Sequence, residues 1–96
     1  MDQAHAKLLE SELAPHLALC TPGGESIVLD FSGVDYISSV GLRVLLLAAK
    51  QTKTQDGRIA IAALTPMVAE VFKVSRFDLV LNVHDTVDAA AAALAS

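Results

Sequence analysis

The chain has 96 residues, 53% of them hydrophobic, a net charge of −4 and one cysteine. That length makes one domain with one core and no deep cleft beside it, and the lone cysteine excludes an internal disulfide. The acidic balance and the lack of tryptophan argue against a nucleic-acid backbone, base stacking and an anionic membrane surface as targets.

From the N-terminus, Ala4 to Leu19 predicts a helix. Ala4, Leu8, Leu9, Leu13 and Leu17 fall on one stripe, Asp2 suits the cap, and Pro15 is expected to bend or shorten the end. Cys20 reads as a small apolar filler near that end. Thr21-Pro22-Gly23-Gly24 is a loop, and Ser26 to Phe31 is a buried strand. Ser32 to Ile37 follows as a loop with turn chemistry and apolar anchors.

Ser39 to Thr54 predicts a second helix with Ser38 as its cap. Leu42, Leu45, Leu46 and Ala49 mark one stripe, but Val40, Val44 and Leu47 are apolar too. Such a helix is covered by two layers or keeps a face for a partner. Asp56-Gly57 stops it, with Gly57 able to adopt the left-handed conformation. Arg58 to Leu64 is a second strand. Thr65 and Pro66 open a third helix continued by Met67, Val68, Val71 and Phe72. Leu79-Val80-Leu81 reads as a third strand, and Asp85 as the cap of a last helix over Thr86 to Leu94, with Asp88 in its first turn.

This alternation predicts a single α/β domain over residues 1–96 with a small, mostly parallel sheet. Three strands leave open edges that invite pairing with another chain, so the exposed edge is expected to be covered by dimerisation or strand exchange. No apolar run approaches the roughly 20 residues of a membrane span, and no basic leader opens the chain, so a cytoplasmic location is expected.

Enzyme chemistry finds no foothold. There is no phosphate-binding Gly-rich loop, and Ser38-Ser39-Val40-Gly41 lacks the leading glycine of a nucleophile elbow. His5, His16 and His84 match no metal spacing, so neither metal nor cofactor is expected. The informative stretch is Asp30 to Leu42. It sets a strand end, a short loop and two hydroxyls at a helix N-terminus, where backbone N–H groups and the helix dipole favour negative charge. Both Ser38 and Ser39 can serve as caps there, though Ser39 lies one residue inside the helix.

This stretch resembles the signature of the STAS family, shared by sulfate transporters and anti-sigma factor antagonists. The match runs through Asp30, Phe31, Ser32, Val34, Tyr36, Ile37, Ser38, Ser39, Gly41 and Leu42, and the order of elements agrees along the chain. The resemblance implies an anti-sigma factor antagonist in a partner-switching system. Such a protein binds an anti-sigma factor that is also a serine kinase, is released when the kinase phosphorylates it, and is reset by a phosphatase. By motif position the modified residue is Ser39. Many antagonists carry Asp where this chain has Ser38, which makes Ser38 a competing acceptor. Family members also open with a strand pair that is not seen ahead of Asp2. The alternatives are a non-switching STAS module of a transporter or signalling scaffold, and a small-molecule or nucleotide-sensing STAS domain. Partner contacts are expected from Asp30, Ser32, Asp35, Tyr36 and Ser38, and along the helix from Val40, Gly41, Arg43, Val44 and Leu47. Arg43 lies one turn past Ser39 on the same face.

Overall fold

In a computed structural model, which describes residues 2–95, the chain runs α1 (Gln3–Leu19), β1 (Ile27–Asp30), α2 (Ser39–Thr54), β2 (Ile59–Ala62), α3 (Pro66–Val74), β3 (Asn82–His84) and α4 (Val87–Ala95). A 3-10 turn, Phe77–Leu79, stands between α3 and β3. The sheet has the order β1-β2-β3 and both pairings are parallel, as the alternation of helices and strands requires.

The strands alternate between two apolar layers. Ile27, Leu29, Ile59 and Ile61 join the main core with Leu13 and Leu17 of α1, Leu45, Ala48 and Ala49 of α2, and Val68 and Phe72 of α3. On the other face Ala60 and Ala62 meet Ala90 of α4, flanked by Val28 and Leu94. The alanine-rich helix lies against small residues, so its thin side-chain layer needs no partner of greater bulk.

Asp2 caps α1 as expected, its carboxylate accepting the His5 N–H at 2.9 Å. Other local expectations change. Pro15 does not shorten α1; it and Ser11, whose carbonyl the missing N–H would have engaged, are both exposed, so water can serve that carbonyl. The buried stripe of α1 is Ala6, Leu13 and Leu17 with Leu9 half-buried, while Ala4 and Leu8 face solvent. At the end of α2 the left-handed residue is Asp56, at φ 57°, and not Gly57. The Asp56 N–H donates to Lys53 O and the Gly57 N–H to Thr52 O, a Schellman arrangement that ties off the last turn.

The third strand is not Leu79-Val80-Leu81. Arg76 turns left-handed at φ 60° and ends α3, and Phe77 folds back onto Phe72 with ring centroids 5.5 Å apart. The chain stays in a tight turn through Leu79, which is 79% exposed, and Leu81 drops into the core before pairing begins. The pairing residues are Asn82, Val83 and His84, set against Ala60, Ile61 and Ala62 in that order. The last helix is capped by Thr86 and not by Asp85: Thr86 Oγ1 accepts the Ala89 N–H at 3.0 Å.

Candidate functional site

The signature stretch gathers at the carboxyl end of β1, where open α/β sheets place their sites. Asp30 ends the strand and its carboxylate accepts the Ser32 N–H at 3.0 Å. That bond, chiefly, and a further one from the Ser32 side chain hold the Asp30 carboxyl below the ordinary aspartate value of 3.8. The chain then turns, the Val34 N–H donating to Phe31 O at 3.0 Å. Val34 and Ile37 are half-buried and packed on the core, which pins the loop at two points. Asp35 and Tyr36 between them stay exposed.

The two serines have different environments. Ser38 is half-buried, and its Oγ accepts the Gly41 N–H at 3.1 Å while its carbonyl accepts the Leu42 N–H. It is the N-cap of α2. Ser39 is the first helical residue, and it is exposed. No hydrogen bond to another described side chain or backbone group holds its hydroxyl. A negative group on that oxygen lies at the positive end of the helix dipole.

Along α2, Arg43 is exposed and Val40 half-buried. Gly41 and Val44 are buried, Val44 at 6% exposure, so little of Val44 is open to a partner. Leu47 is 47% exposed and shares a groove with Leu13, Ala14 and Leu17 of α1. A second groove, lined by Asp2, His5, Leu8, Leu9 and Glu12 of the α1 end and by Gly33 to Tyr36, brings α1 against the signature loop. Of the expected contact residues, Asp35 and Tyr36 line this second groove, Leu47 lines the first, about two turns along α2 from Ser39, and Gly41 and Val44 serve packing.

One residue of this end escapes sequence reasoning. Thr65 precedes α3 at its cap position but makes no capping bond. Its Oγ1 donates instead to Val34 O at 2.7 Å, joining the β2–α3 connection to the signature loop. A threonine before Pro66 reads as a cap, and no local pattern announces a partner 31 residues away.

Among the described residues no cluster of His, Cys, Asp or Glu could hold a metal ion. His5 pairs with Asp2 at 2.7 Å and His16 with Glu25 at 2.9 Å, both in the open. Among the described residues no helix is long and apolar enough to cross a membrane.

A model of the STAS domain matches residues 1–90. A Bordetella bronchiseptica protein, provisionally named anti-sigma factor antagonist BtrV, is 44% identical over 93 residues, covering 97% of this chain and 78% of that protein. A Thermotoga maritima crystal structure, provisionally titled an anti-sigma factor antagonist, superimposes with a TM-score of 0.86 over 98% of this chain and 79% of that one. At 22% identity, that likeness shows the shared fold. With the family model matching residues 1–90 and a relative 44% identical along nearly the whole chain, the chain belongs to the STAS domain family.

Proposed function

We propose that this protein is an anti-sigma factor antagonist of a cytoplasmic partner-switching system, and that phosphorylation of Ser39 is its switch. It docks an anti-sigma factor that is also a serine kinase and so frees the sigma factor. The Ser39 hydroxyl then takes the γ-phosphoryl group of ATP, losing its proton as ADP leaves, and a phosphatase later restores the hydroxyl. The protein is a binding module and not an enzyme. The name of the Bordetella relative supports the general role.

One observation carries the choice of residue. Ser39 offers an exposed, unengaged hydroxyl, whereas the Ser38 hydroxyl is half-buried and caps α2. For transfer to Ser38, its half-buried oxygen would first have to leave the bond with the Gly41 N–H, at a cost of about 1 kcal/mol. Modifying Ser39 adds about −1.5 to −2 charges at the edge of the contact end, where added charge and bulk break an interface. Exposed Tyr36, Asp35, Arg43 and Leu47 supply that contact end, with Asp30 and Ser32 shaping the loop behind it. A second copy of the chain covers the open β1 edge.

The test mixes the protein and ATP with the kinase-type regulators encoded beside its gene and maps the product by mass spectrometry. A single phosphate on Ser39, absent from Ser39→Ala and retained in Ser38→Ala, is expected. Ser39→Asp should weaken partner binding by about tenfold or more in a titration. Full phosphorylation of Ser39→Ala overturns the site, and unchanged binding of Ser39→Asp overturns the switch.

A further inference from the structure

Thr65 occupies the cap position of α3, yet its hydroxyl does not cap that helix. The hydroxyl reaches across to the carbonyl of Val34, at 2.7 Å, in a partly buried setting. Val34 is four residues ahead of Ser38 and is the first apolar anchor of the loop that leads into α2. The loop is also tied by the short-range bonds Ser32 N–H to Asp30 and Val34 N–H to Phe31 O, and by the apolar packing of Val34 and Ile37. The Thr65 bond, by contrast, joins the loop to a different strand–helix connection. The residue also follows closely on a backbone kink, since Ala63 is left-handed at φ 60° with its N–H held by His84 O at 3.1 Å. Thr65 is therefore fixed at its own end by β2 and β3, and can hold the loop as a fixed post.

We propose that Thr65 is a positioning residue for the switch site: its hydroxyl clamps the Ser32–Ile37 loop to the β2–α3 connection and so presents Ser39 to the kinase in one geometry. The proposal deepens the reading of Ser39 as the acceptor and rests on it for its functional half. The clamp itself is a property of the free protein. Valine matches threonine in shape but cannot donate, and serine can donate without the methyl group. The pair Thr65→Val and Thr65→Ser therefore separates the hydroxyl from the packing.

The experiment has two arms. In the first, amide hydrogen exchange of the free protein is followed by NMR. Thr65→Val should speed exchange at Val34 and Gly41 about five- to tenfold, the range expected for one lost hydrogen bond. Val68 and Ala69 in the first turn of α3 should exchange as in the parent, because the hydroxyl caps nothing there. Thr65→Ser should restore the parent pattern. Unchanged exchange in the loop, or selective loosening of α3, overturns the clamp. In the second arm, ATP and the kinase-type regulators are used in steady state. Thr65→Val should raise KM for the protein about five- to tenfold with kcat nearly unchanged, and Thr65→Ser should return it to the parent value. A loosened loop with an unchanged KM overturns the positioning role. If the parent is not phosphorylated on Ser39 at all, the acceptor reading fails, while the exchange arm still decides whether Thr65 holds the loop.

Discussion

A methyl group at Gly57 would lie 2.7 Å from Cys20 Sγ and 2.8 Å from the Cys20 carbonyl carbon, and nearer still to its oxygen. That glycine is required by the close approach of two chain segments and not by its own backbone angle, since the left-handed turn is made by Asp56. The same junction is tied by Cys20 Sγ donating to Arg58 O and by Gln55 Nε2 donating to Leu17 O and Cys20 O. Backbone cannot yield as a flexible side chain can, so Gly57→Ala should lower stability by about 3 kcal/mol, read as a shift of the urea midpoint. A loss below about 0.5 kcal/mol would show that the junction relaxes freely. The serines make the same point at the signature. Residue type alone leaves Ser38 and Ser39 both eligible as acceptors, while helix position already favours Ser38 as the cap. The 3.1 Å bond from Gly41 N–H to Ser38 Oγ assigns the cap.

Among the elements, α4 depends on smallness. Ala90 is fully buried against Ala60 and Ala62, which lets helix and sheet approach closely. Ala90→Leu should therefore destabilise by about 1–3 kcal/mol despite its added apolar surface, because the extra methylenes have no space. A thermal melt checks this; a melting point equal to or above the parent's would mean that α4 rides loosely on the sheet. The helical spans were legible because apolar periodicity and caps agree over long windows, as in α2, where Ser38 and Ser39–Thr54 stand as expected. The third strand was not legible. Its short run pairs polar Asn82 and His84 at an edge, while the apolar Leu79-Val80-Leu81 ahead of it belongs to a turn set by Arg76 and by Phe77 packing on Phe72. So short a strand gives no period to read, and a three-residue apolar run does not by itself distinguish a strand from a turn.

At the scale of the whole molecule, the sheet is covered on both faces but open at both edges among the described residues. Along β1, Ile27 N–H bonds Arg58 O and Phe31 N–H bonds Ala62 O, so the alternation of a strand directs the polar groups of Val28 and Asp30 outward. Beside that edge lie Leu9, Leu13 and His16 of α1. Unpaired edges attract strands, and two copies related by a twofold axis can satisfy each other there. Sedimentation should accordingly show a dimer in the micromolar to millimolar range, with the Val28 and Asp30 amides protected from exchange. A monomer across that range, with those amides unprotected, would refute self-pairing at β1.

Composition, periodicity and caps by themselves determined the class of the fold, the places of the helices, the first two strands, and the signature loop with its two candidate serines. These are local or periodic properties, carried by neighbours along the chain. Only the tertiary structure decided that the Ser39 hydroxyl stands open, that Val44 belongs to packing while Leu47 is presented, where the third strand pairs, and that Thr65 holds Val34. Each of those outcomes depends on how groups meet in space once the chain has folded. A hydroxyl or a methyl group carries no mark of the partner that folding will bring to it.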